Sequence, residues 1–264
     1  MSASDPLLNE FVHNHTGSDT NEYVEVFGDP GTDYSNFTVL EVEGDNISAG
    51  LIDGVFPVGT TDANGFWTTG FLNNQIENGA VTLLLVEDFS GIVGEDLDLD
   101  DDGALDVTPW TRIVDDVAVT DGGSADRAYS AVVLSPGFDG APYIPGGASR
   151  IPNGTDTDWV NDWVRNDFDG AGLPGFAGTP DIGEAINTPG ALNQAVSGPV
   201  DLCEGDFEPD GDVDGSDLAI FAADFGRTDC ASAPTCEGDF DTDNDVDGTD
   251  LAIFAADFGR TDCP

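Results

Sequence analysis

Acidic residues recur at fixed spacing in two segments near the end of the chain. Residues 203–230 and 236–263 differ at only four of 28 positions and repeat with a period of 33. In each copy acids occupy positions 1, 3, 5, 7, 9 and 12 of a twelve-residue loop: Asp206, Glu208, Asp210, Asp212, Asp214 and Asp217, then Asp239, Asp241, Asp243, Asp245, Asp247 and Asp250. Calcium takes about six to eight oxygen ligands, and a chain curling around it presents alternate side chains. The pattern therefore predicts two calcium sites.

Positions 6 and 7 of the loops carry further expectations. Position 6 must turn with a positive φ, and it is Gly211 in one copy and Asn244 in the other, two residue types that tolerate this geometry. Position 7 supplies its backbone carbonyl in such loops, so we expect the side chains of Asp212 and Asp245 to face water. Because the carboxylates repel one another, we expect the repeat to fold only when calcium binds.

A third acidic segment, DLDLDDDGALD at 96–106, matches most of the same pattern. Its matching ligand positions are 1, 3, 5, 7 (through the backbone carbonyl) and 9: Asp98, Asp100, Asp102, Ala104 and Asp106. Position 12 is Pro109, which has no side-chain oxygen, so a last ligand must come from Asp115, Asp116 or water. The segment predicts a third calcium ion, and the alternative is a solvated acidic loop between strands.

One short helix is predicted after each C-terminal loop. Leu218, Phe221 and Phe225 recur at helical spacing in LAIFAADFG, and Gly226 provides a stop. A duplicated calcium loop followed by a single helix resembles the type I dockerin module, over residues 203–263. The resemblance implies a small α-helical domain with two antiparallel helices related by a pseudo-two-fold axis. It also implies docking into a cohesin-like domain on a partner protein.

The same resemblance implies roles for further residues. Loop positions 10 and 11 would contact the partner, and here they are Gly215, Ser216, Gly248 and Thr249. Four cysteines allow three pairings, and the sequence alone does not choose among them. The resemblance favours Cys203 with Cys263 and Cys230 with Cys236. Pairing within each repeat, Cys203 with Cys230 and Cys236 with Cys263, is the alternative.

The upstream region is predicted to be mainly β. Short β-forming runs alternate with clusters of Gly, Pro, Asn and Asp, which is typical of an antiparallel sandwich. The predicted strands are 7–12, 22–27, 37–42, 80–86, 112–119 and 130–134. The opening LLNEFV, the strand NEYVEVF and the closing NTPGALN at 187–193 resemble a bacterial lamin-tail-type domain. This resemblance implies an immunoglobulin-like sandwich, here with insertions. The predicted domains are 1–196, a linker at 197–202, and 203–264.

Two pairs of ring-bearing residues have simpler explanations. His13 and His15 lie on one face of a strand, but no third ligand accompanies them, so we expect two exposed polar residues. Trp159 and Trp163 lie four apart, which predicts a helical turn whose aromatic face packs in the core.

Charge excludes several classes of partner. The chain has 53 acidic residues against six basic ones, all of them Arg, and a formal net charge of -47. Such a surface repels nucleic acids and anionic membranes. No apolar run is long enough to cross a membrane. All four Cys lie in the repeat, which suits disulfides in an oxidising compartment. We therefore expect an extracellular or cell-surface protein whose secretion signal has been removed.

The sequence contains no recognisable set of catalytic residues. The chain lacks Lys and has two His, and no nucleophile with a base stands out. The sequence favours a non-catalytic calcium-binding protein that docks to a partner through its repeat. The alternatives are a subunit of a calcium-stabilised surface layer or filament, built from like subunits as a homo-polymer, and an accessory fragment of a secreted hydrolase.

Overall fold

The computed structural model describes residues 3–45, 48–196, 205–208, 210–230, 236–240, 243–261 and 263. The chain divides into two compact units, Met1–Val196 and Ser197–Pro264. The described residues are mainly β, with two ten-residue α-helices, both in the second unit. Neither helix has the length and apolar character needed to cross a membrane.

Twelve strands are found among the described residues, all in the first unit. They are β1 (Leu7–Val12), β2 (Tyr23–Phe27), β3 (Phe37–Glu43), β4 (Ile52–Pro57), β5 (Phe66–Thr68), β6 (Val81–Glu87), β7 (Arg112–Val119), β8 (Val133–Leu134), β9 (Gly147–Arg150), β10 (Trp163–Arg165), β11 (Ala185–Ile186) and β12 (Gln194–Ala195). The six strands predicted from the sequence are confirmed, and the last of them is shortened to β8. The others were missed because their runs are short or broken by Gly and Pro.

Two five-stranded sheets form two layers around one core. Their strand orders are β10-β9-β1-β2-β5 and β4-β3-β6-β7-β8, and β11 pairs with β12. The pairs are antiparallel except for the parallel pair of β7 and β8. Leu8 and Val24 from the first sheet share a buried cluster with Val39, Leu83 and Val117 from the second. Burial of these apolar side chains is the main stabilising contribution to the layered arrangement.

The outer face of the second sheet is buried as well. Leu40, Leu84 and Ile52 pack there against Leu97 and Tyr129. Both faces of strand β6 are covered, so apolar residues can occupy both. Its sequence, VTLLLVE, therefore lacks the alternation of apolar and polar residues that a half-exposed strand shows. Leu97 belongs to the segment between β6 and β7, and this packing fixes the third acidic loop to the sheet.

The expectation of exposed histidines is wrong. His13 and His15 are 0% and 2% exposed. The two ring nitrogens of His13 lie 2.8 and 2.9 Å from the carbonyl oxygens of Glu77 and Pro145. Burial lowers the pKa of His13. Residues distant in sequence cover both rings, and strand periodicity carries no information about such cover.

The prediction for the two tryptophans is partly wrong. The expected helical turn is a single 3-10 turn, Val160–Asp162, which leads directly into β10. Trp163 is 3% exposed and packs in the core, whereas Trp159 is 68% exposed. Because the chain becomes extended after one turn, the two rings do not share a face.

In the second unit the two predicted helices are present as α1 (Gly215–Asp224) and α2 (Gly248–Asp257). They begin at loop position 10, because Asp214 and Asp247 at position 9 cap their first turns. Phe221 and Phe254 pack with Val213 and Val246 in one small cluster. The predicted apolar face is only partly buried, since Leu218 and Phe225 are 39% and 50% exposed.

One disulfide of the second unit is fully described. Cys230 and Cys236 are bonded, with their Cα atoms 5.0 Å apart. This bond contradicts the alternative of pairing within each repeat, because that alternative requires both residues elsewhere. Cys263 is also disulfide-bonded. Its predicted partner, Cys203, lies outside the described residues.

Candidate metal centres

The first acidic loop is closed by its position-12 carboxylate. Asp217 Oδ1 accepts a hydrogen bond from Phe207 N at 2.8 Å, and its Oδ2 accepts one from Asp214 N at 2.8 Å. Across the loop, Asp206 Oδ2 accepts from Gly211 N at 3.3 Å. Gly211 has the positive φ predicted for position 6, at 94°. Acidic side chains therefore shape the loop by accepting from its own backbone.

The second loop repeats this arrangement bond for bond. Asp250 accepts from Phe240 N at 2.8 Å and from Asp247 N at 2.9 Å, and Asp239 Oδ2 accepts from Asn244 N at 3.1 Å. Asn244 has a φ of 79°, so the non-glycine residue adopts the left-handed turn predicted for it. The sequence repeat thus produces a geometric repeat.

Carboxylate oxygens converge inside each loop. The residues at positions 7, 9 and 12 each place one oxygen within 4.8 Å of the others: Asp212, Asp214 and Asp217, and likewise Asp245, Asp247 and Asp250. The expectation that the position-7 side chains face water is wrong, because Oδ1 is buried in both Asp212 and Asp245. Partial burial and repulsion from Asp210 and Asp214 raise the pKa of Asp212.

Several buried oxygens lack a donor. Asp206 Oδ1, Asp212 Oδ1 and Asp239 Oδ1 have no hydrogen-bond partner in the described part of the chain. A carboxylate oxygen removed from water without a partner is unfavourable, unless a cation or a proton compensates it. These groups could therefore hold a metal ion.

The remaining predicted ligands lie at the rims of the loops. Glu208 and Asp210 are exposed at positions 3 and 5 of the first loop, and Asp243 is exposed at position 5 of the second. Asp241, predicted at position 3 of the second loop, lies outside the described residues.

The position-8 residue of each loop is hydrogen-bonded to the segment that follows the helix of the other repeat. Val213 N donates to Arg260 O at 3.0 Å and Val213 O accepts from Gly259 N at 2.8 Å. Val246 makes the matching pair with Arg227 O and Gly226 N, at 2.9 and 2.7 Å. Each loop is therefore anchored on the segment that follows the other repeat's helix.

The third acidic loop is also closed by carboxylates that accept from its backbone, but the closing residue lies earlier in the loop. Asp98 is fully buried and accepts from Asp102 N at 3.1 Å, from Gly103 N at 2.8 Å and from the Tyr129 hydroxyl at 2.9 Å. Gly103 has a φ of 91°, as position 6 requires. Asp106 Oδ2 accepts from Leu99 N at 2.9 Å. In this loop the position-9 carboxylate therefore accepts the hydrogen bond from the position-2 N–H. In the C-terminal loops the position-12 carboxylate accepts that bond.

The third loop also groups carboxylates. Asp98, Asp100 and Asp106 each place one oxygen within 4.8 Å of the others, and Asp102 and Ala104 are not part of this group. Repulsion from Asp102 raises the pKa of Asp100. Asp115, expected as a possible last ligand, is instead bonded to Arg150 at 2.8 Å. Asp116 lines a cavity with Gly103, and it is not a member of the carboxylate group.

One further acidic group escaped the sequence analysis. Asp45, Asp121 and Asp126 also place oxygens within 4.8 Å of one another. Asp45 lies far in sequence from Asp121 and Asp126, so no spacing in the sequence marks the group. Thr120 Oγ1 and Gly123 N both donate to Asp126 Oδ2, each at 2.8 Å, so loop hydrogen bonds already account for this carboxylate.

The residues predicted for partner contact lie in the first turns of the helices. Gly215, Ser216, Gly248 and Thr249 are all exposed. No atom lies within 4 Å of the place where a β-carbon would stand at Gly215 or Gly248. These two turns are therefore open surfaces.

Comparison with known proteins adds no assignment. No protein-family model, no curated protein and no solved structure matches the chain. The functional argument therefore depends on the loops themselves.

Proposed function

We propose that this chain is a secreted, non-catalytic calcium-binding protein whose C-terminal repeat pair folds around two Ca²⁺ ions and docks to a protein partner. The buried, donor-less carboxylate oxygens of Asp206, Asp212 and Asp239 carry this proposal. They lie in two loops with the same hydrogen bonds, so a shared ligand is the simplest cause. An ion in each loop would compensate the charge that folding gathers there.

Calcium is the ion that the donor set favours. The loops offer carboxylate and carbonyl oxygens at the spacing of an EF-hand-type loop, without nitrogen or sulfur ligands. Magnesium demands near-ideal octahedral geometry and keeps several waters, which a loop rich in protein ligands does not suit. In the ion-bound state Asp217 and Asp250 would hold the ion while their bonds to the backbone close the loop.

Exposed apolar side chains support docking by the second unit. Leu218 and Leu251 are 39% and 40% exposed, and Phe225 and Phe258 are 50% and 48% exposed. Leu218 and Leu251 lie near the start of the two helices, close to the open turns at positions 10 and 11, and Phe225 and Phe258 lie at the C-terminal ends of the helices. Such residues rarely remain exposed without a role in binding when they form a patch. The repeat would thus present equivalent surfaces to a cohesin-like domain or to like subunits.

The wider fold assignment is part of the same proposal. The helix pair with its loops is assigned to the dockerin type, and the two β layers to an immunoglobulin-like, lamin-tail-type sandwich. The Cys230–Cys236 disulfide is consistent with an extracellular location. A calcium ion in the third loop would fasten the segment between β6 and β7 to the outer face of its sheet.

Calcium titration tests the proposal. The chelator-treated full chain is titrated with Ca²⁺ by calorimetry, alongside Asp217→Asn, Asp250→Asn and the control Asp229→Asn, whose side chain is 69% exposed. We expect each loop variant to bind one ion fewer than the control. Equal stoichiometry in all variants would contradict the assignment.

Size-exclusion chromatography in calcium then separates the two modes of association. Discrete complexes with a partner favour docking, whereas open-ended polymers of the chain favour a surface layer or filament.

A further inference from the structure

A cleft in the first unit joins an aromatic compartment to an acidic one. Two neighbouring cavities, of about 270 and 190 Å³, share Tyr143, Phe168 and Glu184 in their walls. Residues 143–146 form part of one wall, and residues 179–184 contribute to the other. The cleft is distinct from the three acidic loops described above.

One carboxylate oxygen in the acidic compartment has no hydrogen-bond donor among the described residues. Asp167, Asp169, Asp181 and Glu184 all line this compartment. Asp167 is only 4% exposed, and its Oδ1 accepts from Asp169 N at 2.6 Å. Its Oδ2 has no hydrogen-bond partner within the described ranges. Because Asp167 lines this cavity, its carboxylate is a group that we expect a donor entering the cleft to meet.

Repulsion within the acidic compartment favours a cationic ligand. Burial raises the pKa of Asp167, and the charge of Asp169 adds to the rise, whereas backbone N–H donors, that of Asp169 first among them, lower it. Burial also raises the pKa of Glu184, and repulsion from the charges of Asp167 and Asp181 adds to the rise. The net charge of the chain strengthens the negative potential in such a concave site.

The aromatic compartment suits the apolar part of such a ligand. Tyr143 and Phe168 are 64% and 46% exposed at its rim. Arg165 also lines it, and its guanidinium is paired with Asp139 through two bonds, at 2.7 and 2.9 Å. The Arg165 guanidinium lies 5.6 Å from the Tyr143 ring centroid, so this ring already faces one cation. Aromatic faces attract cations through their quadrupole.

The spacing of the carboxylates disfavours a small metal ion. Among the described residues, four groups bring three carboxylate oxygens within 4.8 Å of one another, and none of them belongs to this cleft. A larger cation with several N–H donors spans more widely placed acceptors. An ammonium group provides three such donors on an apolar stem.

We propose that this cleft binds a primary ammonium group carried on an aliphatic stem, with Asp167 Oδ2 accepting from the ammonium and Tyr143 and Phe168 packing along the stem. A lysine side chain of a partner and a free alkyl amine share this chemistry. The chain itself contains no Lys, so another copy cannot supply that side chain. The site does not depend on the proposed calcium-dependent docking.

Binding is measured by NMR or calorimetry on the calcium-saturated full chain at low ionic strength. The probes are Nα-acetyl-lysine amide and 1,5-diaminopentane, and Nα-acetyl-norleucine amide is the neutral analogue of the lysine probe. We expect both amines to bind and the neutral analogue to bind at least tenfold more weakly. Stronger binding of the lysine amide points to a partner's side chain, and stronger binding of the diamine points to a free amine.

Variants locate the binding within the molecule. Asp167→Asn is expected to weaken amine binding about tenfold, since hydrogen bonds to charged groups contribute about 1.5–3 kcal/mol. Tyr143→Leu removes an exposed ring that does not support the fold, and it is expected to weaken binding about threefold. Asp53→Asn, at an exposed position on β4, removes one charge outside the cleft and is expected to change little.

Three outcomes would overturn the proposal. Equal binding of the neutral analogue would remove the role of the charge. Equal weakening by Asp53→Asn and Asp167→Asn would mean a diffuse electrostatic effect. Displacement of the amine by added Mg²⁺ at constant ionic strength would instead assign the cleft to a metal ion.

Discussion

The two units both bury carboxylates that accept from backbone N–H groups, but in the second unit each of these carboxylates also belongs to a group of three acids. In the first unit a run of backbone N–H groups meets one oxygen of each carboxylate: Gln75 N and Ile76 N donate to Glu22 Oε2, at 2.7 and 3.2 Å, and Glu77 N donates to Glu41 Oε1 at 2.9 Å. The other oxygens, Glu22 Oε1 and Glu41 Oε2, have no partner among the described residues. Glu22 and Glu41 are both fully buried. No basic side chain is bonded to either of them within the described residues. Burial therefore dominates, and it raises the pKa of Glu41 to about 8.

A second carboxylate pair on the first sheet follows the same rule. Glu10 and Glu25 lie opposite each other on β1 and β2. They accept from the backbone of the closing segment, at Thr188 N and Gly190 N. Burial, with repulsion from Glu10, raises the pKa of Glu25 to about 8. Burial thus favours the protonated forms of Glu25 and Glu41 in the first unit.

In the second unit the carboxylates converge on one another as well as on the backbone. Asp217 and Asp250 are buried, and each belongs to a group of three acids. Its hydrophobic cluster is small, so the apolar contribution to folding is modest. Here a cation is the proposed compensation. The first unit should therefore be stable without metal and sensitive to alkaline pH, whereas the second should depend on calcium.

Calcium removal is expected to have the largest effect and to divide the two units most sharply. A chelator should abolish the helical circular dichroism of the second unit and leave the β signal of the first. A ligand at a thousand times its Kd stabilises a site by about 4 kcal/mol, and two sites act together. Differential scanning calorimetry should then show one transition lost, and re-addition of calcium should restore it. A helical signal that persists in chelator would break the comparison.

The pH response of the first unit is expected to have an intermediate effect. Glu41 titrates near 4.5 when unperturbed and near 8 in the fold. Between these values the folded chain keeps a proton that the unfolded chain has lost, so stability falls as pH rises through this window. The limiting slope is about 1.4 kcal/mol per pH unit for one group. Glu41→Gln should raise Tm at pH 8 and leave it nearly unchanged at pH 4.5.

The control for this experiment is Asp88→Asn, which removes an exposed charge in the same unit. Its Tm should follow the wild-type pH profile. If Glu41→Gln followed that profile too, burial of Glu41 would not account for the pH response.

A feature can be predicted from the sequence when the residues that determine it lie close together along the chain. The C-terminal loops were predicted because Asp206 to Asp217 belong to a single twelve-residue loop. Within such a short loop, the spacing of the acids in the sequence largely determines how they are arranged in space. Strands such as Leu7–Val12 were predicted because their pattern is local. The burial of His13, the donor-less oxygen of Asp167 and the group at Asp45 depend on segments brought together by the fold. No single-sequence pattern records those contacts.

The smallest predicted effect concerns the one turn at which the two loops differ. Asn244 adopts a φ of 79° where Gly211 adopts 94°. Asn tolerates this region better than Ala, and Gly tolerates it freely. Asn244→Ala should therefore lower the stability of the calcium-bound second unit by about 1 kcal/mol, and Asn244→Gly should change it by only a few tenths. The calcium-dependent Tm measures both variants, and Gly211→Asn is the reciprocal control. Equal Tm values for Asn244→Ala and Asn244→Gly would mean that the left-handed turn does not limit the second loop. The shared geometry of the two loops would then be attributed to the hydrogen bonds that the position-1 and position-12 carboxylates accept.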